Sequence, residues 1–230
     1  MSRTGIDNFK LQCYNIAIQS FIYDECVKER TPIMKDNQRK LVYTAMFAAV
    51  VVVLQMFVSI PLGMFTITLT LVPIMLGAIL FGPASGAFLG GVFGVVVAIQ
   101  VVTGAAGALS SAMFLQTPVV TVVLCVLKGV AAGWVSGLIY QAFAKNEKTK
   151  LGVILSAVAC PIVNTGIFAL GLFVFYNGLI NTWAIDNAFA NGFTFVMVGC
   201  IGLNFLVEFA VNVLLIPVAL RMMKIVKRLT

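Results

Sequence analysis

The chain contains no histidine, and that absence removes histidine-dependent catalytic triads, imidazole metal sites and histidine proton relays. It also lacks any Gly-x-x-x-x-Gly-Lys-Ser/Thr run, so it is not its own P-loop ATPase. Charge is scarce: 10% of the 230 residues are charged, against about 25% in soluble domains. The five cysteines, at positions 13, 26, 125, 160 and 200, show no Cys-x-x-Cys spacing, and three of them fall inside apolar segments. They read as packing residues rather than metal ligands or disulfide partners. No nucleophile lies beside an evident base, so an intramembrane enzyme is the weakest reading. Neither a metal nor a cofactor is expected on this chain.

What remains is apolar. At 61% hydrophobic residues the composition is that of an integral membrane protein. The apolar blocks have helix length, not the alternating ten-residue pattern of a membrane β-barrel. Polar and Pro/Gly breaks divide them into about six: Leu41–Ile60, a short one at Thr68–Phe81, Ala84–Val102, Pro118–Phe143, Leu151–Tyr176 and Phe193–Ile225. The expected fold is an all-α, six-transmembrane-helix bundle, or five spans if the second and third blocks form a re-entrant pair.

Lysine and arginine set the orientation. Arg39 and Lys40 precede the first block, Lys145, Lys148 and Lys150 fill the loop between the fourth and fifth, and Arg221, Lys224, Lys227 and Arg228 close the chain. The segments 61–67, 103–117 and 177–192 contain none. Both termini and the 144–150 loop are therefore expected in the cytoplasm. The net charge of +7 reads as topology and contact with anionic lipid, with no call for nucleic acid.

Residues 1–33 mix charges with scattered apolar residues and show no signal-peptide pattern. They read equally as a mis-assigned start ahead of Met34 and as a cytoplasmic amphipathic arm. The membrane domain is expected over 34–230.

Two four-residue glycine stripes, Gly86/Gly90/Gly94 and Gly129/Gly133/Gly137, read as helix-packing surfaces. Only two charged residues sit at membrane depth within the spans, Lys128 in the fourth and Glu208 in the sixth. Lys128 falls roughly 16 Å from the outer end of its helix. Asn164 and Asn204 come to similar depth, so Lys128, Asn164, Asn204 and Glu208 are candidates to meet on three helices. In one reading Lys128 and Glu208 neutralise each other and the asparagines bridge helices. In the other, Lys128 attracts an anionic group of a ligand, the asparagines hydrogen-bond it and Glu208 orients the lysine or lines the pocket floor. The outer segments, with Phe114 and Trp183 as apolar contacts, are the candidate cover. Segment 103–117 is expected to be a flexible loop.

A six-span chain with Ala45-x-x-x-Ala49 in its first helix, the run "LVPIMLGAILFGPASGAFLGGVFG" (71–94) and the run "PIVNTGIFALGLFVFY" (161–176) resembles the substrate-binding S component of an energy-coupling factor (ECF) vitamin transporter. The likeness runs from about Arg39 to the C-terminus. It implies high-affinity capture of a vitamin from outside and association with a transmembrane scaffold subunit and two cytoplasmic ATPases. It assigns Ala45 and Ala49 to scaffold contact and places the chain in the prokaryotic plasma membrane. The "PIVNTGIF" run looks most like pantothenate-type members; riboflavin and folate S components are the neighbouring alternatives. An autonomous secondary transporter or channel for a small anion is the alternative of another class. Against it, the spans show no convincing inverted repeat and the charges form no relay.

Overall fold

The computed structural model describes residues 36–58, 60–62 and 65–229; the expected extension 1–33 lies outside the described residues. Residues from Val42 onward form one compact unit. The elements are α1 (Asp36–Phe57), a hairpin of β1 (Ile60–Leu62) and β2 (Phe65–Ile67), α2 (Leu71–Phe81), α3 (Pro83–Val102), α4 (Ala108–Gln116), α5 (Pro118–Ala144), α6 (Thr149–Phe175) and α7 (Asn177–Asp186). The last span is built from the turn α8 (Gly192–Thr194), a π-helix (Phe195–Gly202), α9 (Leu203–Leu214) and α10 (Ile216–Leu229).

Among the described residues, five segments are long and apolar enough to cross a bilayer: Gln38–Phe57, Pro83–Val102, Pro118–Ala144, Thr149–Phe175 and Gly192–Met223. The sixth, α2, has 11 residues and reaches only about 16 Å. Its residues Leu71 through Ile79 are all buried, so other helices, not lipid, surround it and a full span is not required. Gly82, at φ 100°, ends α2 in a conformation that suits glycine, and Pro83 starts α3 where its missing N–H costs nothing. The protein is an all-α integral membrane bundle, with one small antiparallel hairpin pairing Ile60 with Ile67.

Backbone contact joins α3 to α5. A Cβ on Gly90 would overlap the Gly129 carbonyl oxygen, one on Gly86 would come within 2.5 Å of the Gly133 oxygen, and one on Gly94 within 2.5 Å of Val126 Cα. The two glycine stripes thus face each other, the close approach that small residues permit between membrane helices. Between α5 and α6 the lock is polar: Ser136 Oγ donates to the Ser156 carbonyl at 3.1 Å and Ser156 Oγ to the Ser136 carbonyl at 2.6 Å.

The apolar interior has two parts. The larger includes Val51, Leu71, Ile74, Leu89, Phe93 and Cys160 and runs through the middle of the bundle. The smaller, with Leu109, Met113, Leu172, Tyr176, Ile180 and Phe195, sits under α4 and α7. Segment 103–117 is accordingly not a flexible loop: α4 packs Leu109 and Met113 into that second cluster. The 177–192 connection likewise carries α7, which buries Ile180 and Ala184.

Candidate functional site

A cavity opens at the seam between the two clusters, toward the end of the bundle away from the Lys145–Lys150 connection. Lys128 enters it from the first half of α5, together with Thr121 and Cys125. Asn164, Thr165 and Phe168 enter from the second half of α6, and Cys200, Ile201 and Asn204 from the last span. Val97 and Val101 of α3, Ala106 just before α4, and Ser110 and Met113 of α4 complete the wall. The π-helix widens the turn that carries Cys200 and Ile201, a local geometry that recurs at functional sites.

Lys128 Nζ lies 4.7 Å from the centroid of the Phe168 ring. Among the described residues it has no ion pair and no hydrogen bond to protein. An ammonium over an aromatic face gains electrostatic attraction, but its three donors stay open. Across the cavity, Asn164 Oδ1 and Asn204 Oδ1 are buried without a hydrogen-bond partner. Pro161, one turn before Asn164, lies inside α6, where it removes a backbone donor from the helix.

Glu208 stands one turn beyond Asn204 and does not line the cavity. It is 4% exposed; Thr68 Oγ1 donates to its Oε1 at 3.0 Å, and Asn212 Nδ2 donates to its backbone carbonyl at 3.0 Å. Its Oε2 has no partner, and no ion pair joins it to Lys128 among the described residues. Phe114 and Trp183 lie off the wall. Phe114 packs on the larger cluster, while Trp183 packs on the smaller one and its carbonyl accepts from Asn187 Nδ2 at 2.8 Å. Of the six pocket residues read from the sequence, the cavity therefore gathers Lys128, Asn164 and Asn204.

Other wall residues escaped the sequence reading. Thr121 and Cys125 precede Lys128 by seven and three residues, and Phe168 follows Asn164 by four; helical spacing from the polar markers was the available signal. A buried polar set beside the hairpin was also missed. Gln55 Nε2 donates to Gln100 Oε1 at 2.8 Å, Gln100 Nε2 to the Gln55 carbonyl at 2.9 Å, and Thr70 Oγ1 to Gln55 Oε1 at 2.8 Å. It fastens α1 to α3 and to the segment entering α2. On α1 itself, Ala45 and Ala49 are exposed and present the small-xxx-small face away from the bundle.

The profile of the ECF transporter substrate-specific component family matches residues 39–220. A solved structure of ThiT from Listeria monocytogenes is similar, with a TM-score of 0.55 over 82% of this chain and 99% of that one, at 21% identity. At that identity the likeness concerns the fold. No curated protein sequence gives a significant match. The match spanning α1 to α10 and the helical bundle agree: this chain belongs to the family of substrate-specific components of ECF transporters, a membrane transport subunit and not an enzyme.

Proposed function

We propose that the chain captures a vitamin in the cavity beside Lys128, and that the ligand is a small carboxylate bearing hydroxyl and amide groups, of which pantothenate is the best fit. The observation that carries this reading is the mismatch in the wall: an ammonium that makes no ion pair among the described residues faces two amide oxygens without donors. A carboxylate answers the first need and hydroxyl or amide N–H groups answer the second. Riboflavin or folate would need aromatic faces to stack on, and Phe168, the ring in the described wall, is already covered by Lys128. Glu208 stands one turn beyond Asn204, behind the wall, and Phe114 and Trp183 belong to the cover.

On the lysine and arginine distribution the cavity faces outward and both termini lie in the cytoplasm. Ala45 and Ala49 form the contact with a transmembrane scaffold subunit, and two ATPase subunits supply the energy that this chain cannot. The test is a binding screen of the purified full chain against pantothenate, riboflavin, folate, thiamine, biotin, niacin and cobalamin. Tight binding of pantothenate without any ATPase is expected; tight binding of another vitamin would replace the substrate, and uptake by this chain alone would replace the class.

A further inference from the structure

The cavity measures about 70 Å³, room for roughly five waters and far below the about 300–1,000 Å³ of pockets that enclose small-molecule ligands. A wall must move to admit a vitamin. The glycine contacts hold α3 to α5 and the reciprocal serines hold α5 to α6. The nine-residue α4, which contributes Ser110 and Met113, is bounded differently at its two ends. Before it stand Gly104 at φ 80° and Gly107 at φ 96°, backbone states in which glycine is unstrained. After it stands Thr117, which is fastened.

The fastening is a circuit of three hydroxyls. Thr117 Oγ1 donates to the Tyr176 hydroxyl at 2.6 Å, Thr121 Oγ1 donates to the Thr117 carbonyl at 2.8 Å, and the Tyr176 and Thr121 hydroxyl oxygens are 2.7 Å apart. Each hydroxyl has one proton. Thr117 and Thr121 have used theirs, so Tyr176 donates to Thr121 and, at 3.4 Å, to the Thr117 carbonyl. Tyr176 is fully buried, which leaves its hydroxyl no water as a substitute partner. Thr121 is itself a cavity-wall residue.

We propose that Tyr176 is a positioning residue for ligand entry: from the end of α6 its hydroxyl pins the α4–α5 junction at Thr117 and the first turn of α5, so that α4 opens as a lid from its glycine end. The proposal rests on the cavity being the ligand site, but its test needs no ligand. Cys125 and Cys200 line the cavity, whereas Cys160 is fully buried outside it. In the full chain in detergent, with no vitamin present, N-ethylmaleimide labelling at each cysteine is followed by peptide mass spectrometry. Tyr176→Phe removes the donor to Thr121, and Thr117→Val removes the lid-side hydroxyl while keeping the phenol. Each is expected to speed labelling of Cys125 and Cys200 by about tenfold, the scale of one hydrogen bond, with Cys160 still protected. Thr117→Ser restores the original rate. Unchanged labelling of Cys125 and Cys200 in either folded variant would overturn the proposal, as would Cys160 accelerating in step with them. Should the phenol be required for folding, Thr117→Val with its serine rescue decides alone. A failure of every vitamin to bind would overturn the functional reading and leave these rates to speak for the lid.

Discussion

Lys128 holds its ammonium over Phe168, 4.7 Å from the ring centroid, with no carboxylate at ion-pair distance among the described residues. A charged side chain at membrane depth costs about 3 kcal/mol on insertion scales, and a desolvated cation–π contact returns about 2. The lysine is thus held in place but not neutralised. That condition suits a residue whose proper counter-ion arrives with a ligand.

The unpartnered oxygens of Asn164 and Asn204 separate a binding role from a structural one. Replacing a buried polar group that lacks its partner removes a desolvation cost. Asn164→Leu is therefore expected to leave the unliganded melting temperature unchanged or slightly higher, whereas Asn204→Leu also removes an amide interaction with Glu208 and lowers it; each is expected to weaken vitamin binding about tenfold. A clear drop in melting temperature with unchanged affinity would assign both residues to helix bridging instead.

The contact of α3 with α5 tolerates no added carbon at its centre. Gly90→Ala directs a methyl group into the Gly129 carbonyl oxygen. Overpacking of this kind costs about 1–3 kcal/mol, measurable as a lower melting temperature in detergent. Gly178→Ala, where a Cβ meets nothing within 4 Å, is the matched control and is expected to be near neutral.

Ala45 and Ala49 are exposed on α1, so enlarging them disturbs little within the chain. Ala45→Trp and Ala49→Trp are expected to keep vitamin affinity and abolish uptake in cells that supply the scaffold and ATPases. Normal uptake would remove these alanines from the subunit contact.

Gln55 is 1% exposed and exchanges hydrogen bonds with Gln100 and Thr70. Gln55→Leu removes the acceptor of the buried Thr70 hydroxyl and the donor to Gln100 Oε1, at a cost of about 1–3 kcal/mol. A thermal melt checks this directly: an unchanged midpoint would mean that water replaces the lost bonds.

Much of this arrangement was readable in advance because a bilayer imposes few rules. Spans announce themselves by length and apolarity, and Lys128, Asn164 and Asn204 stood out as polar groups inside such runs. The outer helices α4 and α7 did not, because "ALSSAMFLQ" and "NGLINTWAID" are short and mix small, polar and apolar residues without a strong period. Thr117, Thr121 and Tyr176 carry hydroxyls at helix ends, where solvent or backbone would satisfy them equally well; only the packing of the start of α5 against the end of α6 makes them partners. The π-helix has no sequence signature beyond Gly199 and Gly202. Glu208 was less legible: its depth offered it as a partner for Lys128, while the hydrogen bond to its carboxylate comes from Thr68 on the segment that follows the hairpin.

In the proposed function, Lys128 awaits the carboxylate of a vitamin. The direct measurement is isothermal titration of pantothenate into the purified full chain and into Lys128→Met, with melting temperatures taken alongside. The account predicts tight one-to-one binding that weakens about 10- to 100-fold in the variant, the scale of a charge-assisted hydrogen bond, with no loss of thermal stability. Equal affinity in a stably folded Lys128→Met protein, or no pantothenate binding at all, would contradict it.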